Sequence, residues 1–230
     1  MPLILDIETV PLASSLTVPF DRSSVTPPAN YKTSEAIKSY IDKAELEYPA
    51  RRVKECSLNP RLGRVLCIGM ATDVPSLWPV AMAATEEDEA DILRTFWKHV
   101  ALHDGRVVTW NGSWDLRFLV VRSLSHGIVP TVSGDIVSKW FKKYTTEPHF
   151  DCKAVLLDWD VRQIGEGLSQ WAAFFGVAGK LDGLSGADVY PLYEGGQLDE
   201  IAQYCAADVA ATQAIYERIA PVFGASLPTF

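Results

Sequence analysis

Near the start of the chain, Leu3-Ile4-Leu5-Asp6-Ile7-Glu8-Thr9-Val10 sets two acids into an apolar run. Such a run predicts a buried central strand over 3–10. In a strand, residues i and i+2 share a face with Cα atoms roughly 6.5–7 Å apart, so Asp6 and Glu8 stand side by side. A strand end reaching solvent would use the same residues. A third acid, Asp115, follows the polar turn Asn111-Gly112-Ser113. A helix start explains that acid equally well, since Asn or Ser caps helices and an acid in the first turn favours the dipole. The fourth, Asp208, lies four residues after Tyr204 on a late helix, so the two are neighbours on one shoulder of its apolar stripe. That too suits an ordinary acid on a helix flank.

Together the four carboxylates point to cations. Two bare carboxylates 4 Å apart repel by about 4 kcal/mol at an effective dielectric of 20, and a divalent ion removes that penalty. Oxygen-only donors favour Mg²⁺ or Mn²⁺ over zinc. Two such ions about 3.5–4 Å apart can activate a water and stabilise the leaving oxygen of a phosphodiester.

The elements that must position these groups follow from the pattern. Strands are predicted at 3–10, 64–71, 77–83 and 106–110, and helices at about 33–46, 85–105, 114–126, 168–176, 186–194 and 197–220. The stretch 128–165 shows no clear periodicity. Residues 13–62 form a long, proline-bearing insertion of the kind that serves as a lid or a flexible connection. This order, with no internal repeat and no second core, implies one α/β domain over 1–230.

Composition excludes several classes. With 48% apolar and 22% charged residues among 230, the chain is neither collagenous, disordered nor a disulfide miniprotein. No apolar run reaches the ~20 residues of a membrane span. The opening residues carry no basic stretch or cleavage-like site, so no signal peptide is expected and the cytoplasm is the expected location. A net charge of −8 argues against a broad, sequence-independent grip on duplex DNA. Cys56, Cys67, Cys152 and Cys205 lie far apart with no C-x-x-C pair, which fits a reducing compartment rather than a zinc site.

In this order the motifs resemble those of the DEDD 3′–5′ exonucleases, of ribonuclease H-like fold. Asp6-Ile7-Glu8-Thr9 is similar to the first exonuclease motif, Asn111 to Asp115 to the second, and Tyr204-x-x-x-Asp208 to the third. Tyr204, with Gln203 where a histidine would stand, places the resemblance in the DEDDy branch. The stretches 167–176, 179–180 and 193–208 resemble stand-alone exonucleases related to the proofreading domains of family-B DNA polymerases. Two departures are that Trp114 replaces the usual Phe, and that the family-B domains have one more residue between the Asn and the Asp.

The resemblance implies a mixed five-stranded sheet with one antiparallel strand, flanked by helices. It implies that Asp6, Glu8 and Asp208 ligate one Mg²⁺ or Mn²⁺, and that Asp6 and Asp115 serve a second. Tyr204 would orient the attacking water. Thr9, Val10 and Asn111 would approach the nucleic acid. The expected substrate is the 3′ end of single-stranded DNA, the expected state a monomer, with a replication or repair partner in trans left open. Three alternatives also stay open: trimming of RNA 3′ ends, a non-catalytic nucleic-acid-binding module, and a proofreading subunit of a larger assembly.

Arg51, Arg52, Lys54 and Arg61 make the end of the insertion locally basic, which suits either phosphate contact at a strand entrance or a solvated flap. His99, His103, His126 and His149 have no ligand spacing to the acids and are expected to be structural or exposed. Trp114 suits base stacking or the core.

Overall fold

The structure, a computed structural model, describes residues 1–72, 80–160, 167–178 and 184–224. Its elements run β1 (Leu3–Pro11), α1 (Ala13–Leu16), a 3₁₀ turn (Arg22–Ser24), α2 (Ser34–Ser57), β2 (Gly63–Ala71), β3 (Val80–Met82) and α3 (Glu89–Leu102). They continue with β4 (Val107–Thr109), α4 (Gly112–Ser125), α5 (Gly134–Lys139), β5 (His149–Asp151), α6 (Cys152–Leu156), α7 (Leu168–Phe175), α8 (Val189–Glu194) and α9 (Leu198–Phe223). The expected start of β3 at residue 77, and the expected resemblance at 179–180, lie outside the described residues.

The five strands form one sheet in the order β3-β2-β1-β4-β5. β1, β4 and β5 are parallel, and β2 runs antiparallel to both β1 and β3. This is the mixed sheet with one reversed strand that the resemblance implies. Its central strand is the apolar β1, buried along nearly its whole length, as a strand covered on both faces must be.

Helices cover both faces. Leu3, Leu5 and Ile7 of β1 pack with Phe96 and Trp97 of α3 and Leu116 of α4. On the other face Ile4 packs with Val209 and Ile215 of α9, and Val10 with Ile201 and Cys205. The pairing of β1 with β2 carries a bulge: Glu8 opposes Cys67 and Thr9 opposes Val65, leaving Leu66 extra. Leu66 and Cys67 therefore both belong to the α9 side, while Val65 and Ile68 belong to the α3–α4 side.

Two departures from the sequence reading matter for the site. The helix expected to end near residue 46 continues to Ser57, through Pro49. A mid-helix proline removes one backbone bond and is a normal stop signal. Here the second half of the helix borders a cleft and is anchored where Arg52 Nε donates to the Ser15 carbonyl, 3.0 Å. Its start is the expected one, with Thr33 Oγ1 accepting from the Ala36 amide, 3.1 Å. Between 128 and 165, where no element was predicted, lie α5, β5 and α6. Each has six residues or fewer, too few for a period to emerge. All four cysteines are free and buried, and among the described residues no helix is long and apolar enough to cross a membrane.

Candidate active site

Asp6 and Glu8 share the face of β1 that carries Ile4 and Val10, the face covered by α9. α9 comes unusually close at this point. Gly69 of β2 is the cross-strand partner of Asp6, and a Cβ on it would lie 2.8 Å from Val209 Cγ2 and 2.9 Å from Cys205 Sγ. The helix thus occupies the space that a side chain would fill. Cys205 Sγ lies 3.7 Å from the Asp6 carbonyl oxygen and 4.0 Å from Asp6 Oδ2. One ligand atom each from Asp6, Glu8 and Cys205 falls within 4.8 Å of the others. Tyr204 and Asp208, on the same shoulder of α9, are 2% and 4% exposed and line the same cleft as Asp6 and Glu8.

Asp115 arrives from the other side of the sheet. Asn111 occupies the N-cap position of α4 without capping through its side chain; its Oδ1 instead accepts from Ser113 Oγ, 3.3 Å. The helix starts at Gly112, two residues earlier than expected, and no side chain fits at that position: a Cβ would lie 2.3 Å from both His149 Nε2 and Thr109 Oγ1. Asp115, in the first turn, is 4% exposed. Burial, then the charge of Asp6, then that of Asp151 push its carboxyl well above the ordinary carboxylate range. Backbone N–H donors offset this only in part.

These groups meet in a cleft of about 1230 Å³. Asp6, Glu8, Asp115, Tyr204 and Asp208 all line it, as do Thr9 and Asn111. Val10 does not reach it: its side chain is fully buried against Leu66 and Cys205. Thr9 turns its hydroxyl to the Ser57 carbonyl, 2.7 Å, tying β1 to the end of α2. Trp114 has the core role weighed for it. It packs against the core and Phe118, donates its indole N–H to the Leu58 carbonyl, 3.2 Å, and also borders the cleft.

One wall of the cleft is α2, which contributes Tyr48, Pro49, Arg52 and Lys54. Of the four bases at the end of the insertion, Arg52 and Lys54 line the cleft. Arg51 instead pairs with Glu55, 3.6 Å, and lies over the Tyr48 ring. Arg61 lies outside the lining.

Two groups near the site were not singled out by sequence reasoning, Lys153, which lines the cleft, and Asp151. Both sit at the β5–α6 junction, where only an Asp at an N-cap position could have served as a signal. Three of the four histidines, expected to be structural or exposed, make structural contacts. His149 is buried between Thr109 Oγ1 and the Trp140 carbonyl, each 2.9 Å away. His126 binds Glu89, 2.8 Å, and His103 the Met1 carbonyl, 2.9 Å.

The donor set fits divalent cations. Buried and half-buried carboxylates that oppose one another's ionisation need positive charge to remain ionised together, and oxygen donors suit Mg²⁺ or Mn²⁺.

The sheet order, the flanking helices and the acids placed within β1, in the first turn of α4 and midway along α9 define a ribonuclease H-like fold. Among solved structures, the family B DNA polymerase from the hyperthermophilic archaeon Pyrobaculum calidifontis superposes with a TM-score of 0.59 at 17% identity. The match covers 95% of this chain and 24% of the polymerase chain. No curated protein matches the sequence. A family profile described as a predicted 3′–5′ exonuclease related to the exonuclease domain of PolB matches residues 59–226, and the chain belongs to that family.

Proposed function

We propose that this protein is a divalent-cation-dependent 3′–5′ exonuclease that removes nucleotides from single-stranded DNA ends, with residues 13–62 as an insertion in one exonuclease domain. The observation that carries this reading is the convergence of Asp6, Glu8, Asp115, Tyr204 and Asp208, from β1, α4 and α9, on one cleft. Exonuclease domains of the PolB kind generally depend on divalent cations.

Asp6, Glu8 and Asp208 would hold one Mg²⁺ or Mn²⁺, and Asp6 with Asp115 a second. Bound there, the ions supply the charge that makes water a nucleophile at neutral pH and stabilises the leaving oxygen. Tyr204 orients the attacking water; a phenol ionises at about pH 10 in water, so it holds a proton position rather than removing the proton outright. Asn111 and the backbone of Thr9 border the terminal nucleotide. Arg52 and Lys54 on the α2 wall receive phosphates of the incoming strand. An open cleft edged by Tyr48, Trp114 and Tyr190 suits unstacked bases better than a duplex.

The test is digestion of end-labelled single strands with Mg²⁺ or Mn²⁺, with polarity read from the products. Shortening from the 3′ end, abolished by EDTA, is expected. Undiminished hydrolysis in EDTA, or activity only with Zn²⁺, overturns the reading. A matched RNA strand degraded faster than the DNA would reassign the substrate.

A further inference from the structure

We propose that Asp151 is a positioning residue for this site: it braces the first turn of α4 and adds, from beside the ligands, a negative charge that strengthens cation binding at Asp115. The inference rests on the reading of the cleft as a cation site.

Asp151 is the last residue of β5 and is 8% exposed. Its two oxygens reach two helices. Oδ1 accepts from the Ala154 amide of α6, 2.9 Å, and Oδ2 accepts from the Ser113 amide of α4, 3.2 Å. One carboxylate therefore ties the α6 start to the turn that carries Asp115, two residues beyond Ser113. The same strand braces α4 a second time, because the His149 ring fills the space left by the missing side chain of Gly112.

Capping α6 does not require a charge, since Ser or Asn would cap it about as well. The charge has a separate consequence. Oδ2 of Asp151 sits 3.2 Å from the Ser113 amide, two residues from Asp115, so its charge stands close to that carboxylate. A divalent cation held beside Asp115 is attracted by Asp151 as well as by its own ligands. Asp151 thereby shifts the cleft toward its loaded state without touching the ion.

Mn²⁺ binding, followed by the electron paramagnetic resonance signal of the free ion, tests this without reference to nuclease activity. Asp151→Asn keeps the shape and removes the charge; Asp151→Ser keeps a cap for α6 but is too short to reach Ser113. Both variants are expected to give cooperative melts and to bind Mn²⁺ about 3–10-fold more weakly than the wild type, the scale of a unit charge acting on a divalent ion through a mostly polar medium. If folded variants lose thermal stability but keep wild-type Mn²⁺ affinity, Asp151 is merely structural and the proposal falls. If the wild-type protein itself binds no Mn²⁺, the cation-site reading fails, a result distinct from unchanged affinity in the variants.

Discussion

Gly69 stands opposite Asp6 across the β1–β2 ladder, and the side chain it lacks is the space that α9 fills. This contact sets how closely Tyr204 and Asp208 approach the acids of β1. Gly69→Val should drive its side chain into Val209 and Cys205 and lift the helix. Overpacking of this kind costs about 1–3 kcal/mol. A lower denaturation midpoint and a large loss of cleavage rate are expected. A wild-type midpoint and rate would mean that α9 can give way without moving the site.

Tyr204→Phe isolates the hydroxyl. The ring and its packing remain, so folding and Mn²⁺ binding should stay near wild type. The single-turnover rate should fall roughly 10²–10⁴-fold, the usual range for a positioned proton-handling group. Asp208→Ala, in contrast, should lose both cation affinity and nearly all activity. Equal rates for wild type and Tyr204→Phe would remove the tyrosine from the mechanism.

Asp115 gives a prediction about pH. Its folded-state pKa lies well above the ordinary value because of burial, Asp6 and Asp151. Ionising it in the cation-free protein therefore opposes folding. The cost is absent below the unfolded carboxylate pKa and grows as pH rises from there toward the raised folded value. In EDTA at neutral pH, Asp115→Asn should melt at a higher temperature than wild type while being inactive. Melting curves of both proteins between pH 4 and 8 check this; a lower melting temperature for the variant throughout would contradict it.

Glu89 has the opposite sign. It is buried at the start of α3, and its carboxylate accepts from the Val65 amide, 2.7 Å, Arg122 Nε, 2.9 Å, and Arg122 Nη2, 2.5 Å. Burial alone would raise its pKa, but the bonds from Arg122, His126 and Val65 prevail and hold it below the usual value. Its contribution is thus present above the unfolded carboxylate pKa and is lost as pH falls through the folded one. Glu89→Gln should cost about 3–5 kcal/mol, because Arg122 is left buried without its counter-charge. Urea denaturation at pH 7 measures this. The gap between variant and wild type should narrow at pH 3.

The two bases on the cleft wall can be separated from the two beside it. Arg52→Ala with Lys54→Ala should weaken binding of single strands about equally for all sequences and lower the salt dependence by roughly two units of slope. Arg51→Ala with Arg61→Ala should leave both unchanged. Equal effects from the two pairs would indicate a general field of the insertion rather than contact in the cleft.

The acids were legible because they break an apolar pattern. Asp6 and Glu8 interrupt the β1 run, and Asp208 edges a stripe of small and apolar residues, so each stood out before any geometry was known. Asp151 did not, because β5 has three residues and no period to interrupt. The length of α2 was hidden by Pro49, which reads locally as a stop and is overridden by tertiary anchoring of the helix. Val10 shares the face of β1 that carries Asp6 and Glu8, yet its side chain packs against Leu66, Ile201 and Cys205 and stays out of the cleft, which the pattern of the strand alone does not distinguish.

The extra residue opposite Glu8 bears on how this chain can change over time. β2 consists of two alternating stretches whose phases differ by one residue, joined at Leu66 and Cys67. Since Leu66, Cys67 and Ile68 are all apolar, substitution among hydrophobic residues preserves that junction. Deleting one of them would merge the two phases. Either Ile68 and Met70 would swap faces and Gly69 would leave α9, or Arg64 and Val65 would turn over and lose their present partners. Along β2, length is therefore under tighter constraint than composition, and insertions or deletions should be far rarer there than side-chain exchange.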